Sequence, residues 1–204
     1  MKIIDGIKLK GRPAEIPDCS RNDLPEFFKE MGYKAGAEIG VYKGNYTKVL
    51  AKSGLQIYGI DPWRAYGDVG VISQDQEELD IYYENSQRLL APYPNVVVIR
   101  KTSMEALKDF ENKSLDFVYI DGNHHFKYIT EDICEWTKKV RKGGVISGHD
   151  YYFFANTCLG GHVPYVVQAY TRAYGIKNWY VLGRKEYRKA EKRDTYRSWL
   201  WLKK

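Results

Sequence analysis

Short apolar runs alternate along this chain with longer stretches whose apolar residues recur every three or four positions. AGAEIGV (35–41), QIYGID (56–61), NVVVIR (95–100), LDFVYID (115–121) and GGVISGHD (143–150) read as five strands. Residues 45–54, 75–90, 103–110 and 126–140, lying between them, read as helices. Strands that are apolar on both faces and separated by helices predict a parallel sheet covered on both sides. Ahead of them, Leu24, Phe27, Phe28 and Met31 recur at helical spacing, so 20–32 reads as a helix capped by Ser20 and stopped at Gly32. After the fifth strand, 163–174 reads as a helix, followed by NWYVLG (178–183) and YRSWLWL (196–202). Only a charged stretch separates these last two runs, so they are expected to pair as an antiparallel hairpin. The pattern predicts one doubly wound α/β domain over 1–204, with a mostly parallel seven-stranded sheet ending in that hairpin. Residues 1–35 form a helical extension, 36–150 a ligand-binding core, and 151–204 a substrate loop, helix and hairpin. The segments 62–74 and 151–163 are the expected active-site loops.

Composition narrows the class. The 204 residues, 44% apolar and 28% charged, suffice for one full hydrophobic core. Residues 183–204 hold nine Lys/Arg against three Asp/Glu, which is the whole of the net charge of +6. A basic tail of this kind suits anionic partners such as RNA. The alternative is a solvated outer strand whose charges discourage edge pairing. No run approaches the roughly 18 apolar residues of a membrane helix. The opening MKIIDGIKLKGR lacks the apolar stretch of a signal peptide, and Cys19, Cys134 and Cys158 show no paired spacing. A cytoplasmic location with reduced thiols, and no membrane partner, is therefore expected.

Open parallel sheets bind ligands beyond the carboxyl ends of their strands. The first such end reads Glu38-Ile39-Gly40, with Gly44 four residues on. Gly40 allows the backbone to turn beneath a ligand and Gly44 allows close approach at the helix start. A carboxylate at Glu38 would repel a pyrophosphate but suits an ammonium group, which disfavours a nicotinamide dinucleotide. Asp61 closes the second strand, where a carboxylate can accept ribose hydroxyls; the alternative is a turn cap before Pro62. Ser103, after the third strand, is placed to cap the next helix and to sit beside a nucleobase.

The fourth and fifth strands end in Asp121-Gly122-Asn123-His124 and His149-Asp150-Tyr151. With these motifs, residues 36–150 resemble the class I S-adenosylmethionine-dependent methyltransferases. The likeness is to the small-molecule O-methyltransferase branch, whose fold is Rossmann-like. The resemblance implies that Glu38, Gly40, Gly44, Asp61, Ser103 and Asp121 contact S-adenosylmethionine. Several members of that branch hold a divalent ion between an acid on the first motif and an acidic pair on the second. Here His149 stands in place of the first acid of the pair, which lowers the charge of the site.

Neighbouring strand ends lie about 4.8 Å apart, so Asp121 and Asp150 can share a hard cation, Mg2+ or Mn2+, with His149 as third ligand. All four histidines fall within 124–162. His149 first and His124 second are the candidate bases, and Asp121 completes the catalytic set. Their bland alternative is turn capping and backbone bonding. Methyl transfer needs an in-line geometry and a nucleophile free of its proton. A metal or a neutral histidine can provide the latter, and both point to a hydroxyl oxygen of a small-molecule acceptor. Nucleic acid is disfavoured as a substrate, because the Asn/Asp-Pro-Pro-aromatic signature of nucleobase amine chemistry is absent. A relative with hydroxylase-like chemistry, or an RNA methyltransferase using the basic tail, are the rival readings. Self-association is left open.

Overall fold

The computed structural model describes residues 1–65, 75–154, 161–186 and 188–204. The parts of the two expected active-site loops at 66–74 and 155–160, with Cys158, lie outside the described residues.

The chain enters through α1 (Ile3–Gly6) and β1 (Ala14–Ile16). A single 3-10 turn (Arg21–Asp23) then leads into α2 (Leu24–Glu30). Ser20 caps that turn in a reciprocal box with Asp23. The alternating core follows as β2 (Ala35–Ile39), α3 (Asn45–Ala51), β3 (Gln56–Ile60), α4 (Gln76–Leu90) and β4 (Val96–Ile99). It continues through α5 (Ser103–Ala106), β5 (Leu115–Ile120), α6 (Phe126–Lys139) and β6 (Val140–Tyr151), and closes with α7 (Val163–Ala173), β7 (Tyr180–Leu182) and β8 (Arg197–Leu202). The strands form one sheet in the order β1-β7-β8-β6-β5-β2-β3-β4, antiparallel only where β8 meets β6 and β7.

Alternation along β5 assigns the two faces. Val118 and Ile120 pack with Ile129, Ile133 and Trp136 of α6, whereas Phe117 packs with Phe28 of α2 and Leu50 of α3. The chain starts its parallel run at β2, moves outward to β3 and β4, and returns to β5 on the other side. The β2/β5 boundary is therefore the switch point where a ligand site is expected.

Two expectations are corrected. Among the described residues the sheet has eight strands, not seven, because the 1–35 extension is not purely helical: Ala14–Ile16 adds β1 as an edge strand parallel to β7. The basic tail is not a solvated outer strand either. β8 lies between β6 and β7, with Arg197 to Trp201 buried, because the run Trp199-Leu200-Trp201 is apolar on both faces and can only sit inside a sheet. The charges gather instead in the connection before it, where Lys192 pairs with Asp23 at 2.6 Å and Arg184 with Glu191 at 3.2 Å. Among the described residues, no helix is long and apolar enough to cross a membrane.

Candidate active site

A cavity of about 340 Å³ opens at the carboxyl ends of β2, β3 and β5, with Gly40, Asp61, Trp63, Ser103, Asp121 and Asp132 in its wall. Gly40 has φ +94°, and a Cβ added there would lie 2.1 Å from the carbonyl oxygen of Asp121. Only glycine lets the turn after β2 meet the end of β5 so closely. Asp61 braces the same turn. The N–H groups of Val41 and Tyr42 donate to its Oδ2 at 3.0 and 2.8 Å, and that of Trp63 to its Oδ1 at 2.9 Å. Burial pushes the Asp61 carboxyl up, against the pull of those three amides. A carboxylate offers about four lone-pair sites, so Asp61 keeps one for a ligand in the cavity.

Ser103 lines the cavity but does not cap the helix, as the sequence suggested. Thr102 is the cap, in a reciprocal box with Glu105. The Ser103 hydroxyl is thereby free to turn inward, where it accepts from Trp136 Nε1 at 2.7 Å and donates to Asp132. Burial pushes the Asp132 carboxyl up to about 7. Asp132 escaped the motif reading, yet it carried a signal. It is an acid on the apolar stripe Ile129, Asp132, Ile133, Trp136 of α6, a position that costs free energy unless the carboxyl is hydrogen-bonded, as it is here by Ser103.

Glu38 and Gly44 are not among the residues lining the cavity. Gly44 precedes α3 in a left-handed conformation and approaches Ser86 of α4. Glu38 is buried in β2, its Oε2 has no hydrogen-bond partner, and burial pushes its carboxyl up to about 8. An unfolded glutamate titrates near 4.3, so the folded chain holds an extra proton between roughly pH 4.3 and 8. The stability from that proton is complete below the lower value and lost as pH rises through the upper one. Glu38→Gln keeps the neutral form at every pH. Thermal unfolding of the unliganded variant should match wild type near pH 4 and exceed it by several degrees at pH 9. Parallel curves across that range would show that Glu38 ionises normally.

Beyond the cavity, Asp121, His124 and Asp150 each offer one ligand atom within 4.8 Å of the others. His124 Nε2 lies 3.1 Å from Asp150 Oδ2 and 3.7 Å from Asp121 Oδ1. His149, expected as the third ligand, flanks this group, its Nδ1 3.4 Å from Asp150 Oδ2 and 3.8 Å from Asp121 Oδ1. The Nε2 atoms of both histidines are buried without hydrogen-bond partners. Burial works to lower the His124 imidazole, but the two carboxylates beside it outweigh this and raise it. Likewise, burial would raise Asp150, and the neighbouring imidazoles hold it below the usual carboxylate range. Two carboxylates and the His124 imidazole, each offering one ligand atom in one small space, fit a divalent cation. Arg21, which no motif announced, reaches Asp121 from the other side.

A family model described as a methyltransferase domain matches residues 37–151. Among curated proteins, the uncharacterized protein y4gI of Sinorhizobium fredii is 27% identical over 55% of this chain. The match spans only 12% of that protein's length. Among solved structures, the O-methyltransferase from Bacillus cereus in complex with SAH superposes with a TM-score of 0.61 at 16% identity, covering 90% of this chain and 80% of that one. The O-methyltransferase TomG from Streptomyces achromogenes, in complex with SAM, gives 0.58 at 13%, covering 90% and 79%. An rRNA methylase from Streptococcus thermophilus gives 0.57 at 14%, covering 88% and 93%. Likeness at these identities concerns the fold.

Proposed function

This chain belongs to the methyltransferase-domain family, the class I enzymes that draw their methyl group from S-adenosylmethionine, and on that premise we propose that it methylates a hydroxyl oxygen of a small molecule with help from a divalent cation. The observation that carries the oxygen chemistry is the Asp121/His124/Asp150 group with His149 beside it, at the end of the cofactor cavity that Asp121 also lines.

Asp61 accepts one ribose hydroxyl with its remaining lone pair, while Ser103 and Asp132 form the polar wall on the adenine side. The Gly40 turn brings backbone close to the donor without a side chain intervening. Glu38, buried in β2 next to this turn, stands behind the wall of the cavity. Asp121, His124 and Asp150 would hold Mg2+ or Mn2+. The ion would orient the acceptor hydroxyl and lower its pKa. His149 sets its Nδ1 against Asp150, which leaves Nε2 as the basic nitrogen to take the hydroxyl proton. S-adenosylmethionine held in the cavity would supply the methyl group to the acceptor oxygen, and His149 would take the proton that oxygen gives up.

Calorimetry tests the premise: S-adenosylmethionine and its demethylated product should give saturable heat and NAD none. Absence of heat with both would remove the cofactor reading. Cytoplasmic placement and a small-molecule acceptor belong to the same proposal. The charges of the basic connection that are paired within the fold, such as Lys192 with Asp23, speak against a nucleic-acid face. Retention on RNA at physiological salt should therefore be weak, and tight salt-dependent retention would favour RNA as the acceptor.

A further inference from the structure

The two oxygens of Asp121 face different partners. Oδ1 is turned toward His124 and His149 at 3.7 and 3.8 Å, while Oδ2 accepts from Arg21 Nη1 at 3.2 Å. Arg21 therefore does not compete for the oxygen that faces the histidines. It holds the other one and so selects which oxygen is presented.

The Arg21 side chain is itself fixed. Its guanidinium lies over the Tyr46 ring, 4.9 Å from the centroid. Its backbone is pinned on both sides: the carbonyl accepts from Tyr46 Oη at 2.9 Å, and the N–H donates to Asp194 Oδ2 at 2.7 Å. Asp194 belongs to the charged connection that the methyl-transfer reading leaves without a role. That connection grips the N-terminal segment at several further points. The Asp18 N–H donates to Glu191 at 3.0 Å, the Lys192 N–H donates to Asp18 at 3.0 Å, and Lys192 Nζ reaches Asp23 at 2.6 Å. Glu191, Lys192 and Asp194 thus form a latch across the 18–23 segment, and Arg21 within it points at the reaction site.

We infer that Arg21 is the positioning residue of the reaction centre, held in place by the latch of Glu191, Lys192 and Asp194 and turning Asp121 so that Oδ1 faces His124 and His149. This rests on the metal reading above for its consequence, but not for its geometry. Carboxylates that ligate metals are themselves oriented by outer partners, and losing such a partner costs affinity for the ion. A guanidinium suits the task because its planar fork is preorganised and always charged.

The test measures Mn2+ uptake by the full chain from the electron paramagnetic resonance of the free ion. Arg21→Gln should weaken uptake roughly 10- to 100-fold, and Arg21→Lys should recover part of the loss. Asp194→Ala, which leaves Arg21 intact but unlatches it, should weaken uptake in the same direction by less. Binding of S-adenosylmethionine should fall far less than Mn2+ uptake in all three, since Arg21 is not among the residues lining the cofactor cavity and reaches it only through Asp121. That binding also checks folding, and Asp194→Ala carries the measurement if Arg21→Gln does not fold. Unaltered Mn2+ affinity in Arg21→Gln and Asp194→Ala would overturn the inference. A crystal structure of a folded Arg21 variant decides the geometry independently. Asp121 rotated away from His124 supports the role, and Asp121 unmoved ends it. If wild type takes up no Mn2+, the metal reading fails, and the orientation of Asp121 in that crystal structure still decides the role of Arg21.

Discussion

Asp61→Ala should lose S-adenosylmethionine affinity by more than about 100-fold and fall in thermal stability at the same time. The two losses have one origin. In the folded chain the Asp61 carboxylate accepts from the N–H groups of Val41, Tyr42 and Trp63, and it still lines the cavity. Alanine strands three donors in a largely buried turn, each costing on the order of 1–3 kcal/mol before relaxation and water entry reduce the sum. It also removes a charged acceptor for the ligand, a charge-assisted bond whose loss is worth about 3 kcal/mol, or somewhat over two decades in Kd. Asp61→Asn separates the effects, because the amide keeps one acceptor oxygen and the shape of the turn while losing the charge. It should lose less stability than alanine, since only the donor facing its Nδ2 is stranded, and still bind weakly. Calorimetry and thermal unfolding on both variants decide the matter. If Asp61→Ala unfolds early yet binds with wild-type affinity, Asp61 is a turn brace only.

The parallel core was legible because its strands obey a simple rule. A run such as LDFVYI, apolar on both faces, has no place but a covered sheet, and five of them separated by helices admit few topologies. β1 was not legible, since three residues with Pro13 before them and Pro17 after them carry no periodicity that distinguishes a strand from a loop. Its pairing depends on β7, far away in sequence. The terminal run Arg197–Leu202 was read correctly as a strand and as half of a hairpin. Its position inside the sheet is hidden in the net charge of 183–204, which mixes the polar connection with the apolar strand. At the site, residues at strand ends were found because their positions follow from strand length alone. Those that depend on local phase were not. Thr102, rather than Ser103, points back to cap α5, and that one-residue choice decides that Ser103 faces Asp132. His124 joins the acids more closely than His149 because of how the chain leaves β5 and bends at the end of β6, where Asp150 has φ +56°. Arg21 lies 100 positions before its partner and had no signal at all.

The bend at Asp150 shapes the most consequential test of the reaction centre. Asparagine tolerates the left-handed region far better than most residues, so Asp150→Asn preserves the backbone while removing the charge and one hard oxygen. The variant should fold, bind S-adenosylmethionine as wild type does, and lose methyl transfer by about 100-fold or more, the scale of losing proton-transfer assistance. Under the metal reading, chelation should silence the wild-type chain, and Mg2+ or Mn2+ should restore it. His124→Ala should then lose affinity for the ion more than His149→Ala, since Nε2 of His124 belongs to the compact three-atom group and His149 flanks it. His149→Ala should keep the ion and lose rate. The opposite pattern has a definite meaning. Transfer that survives chelation but disappears in His149→Ala assigns proton removal to His149 alone, with Asp150 fixing its tautomer. Full activity in both Asp150→Asn and His149→Ala would reduce the constellation to strand-end packing and place the chemistry elsewhere along the cavity wall.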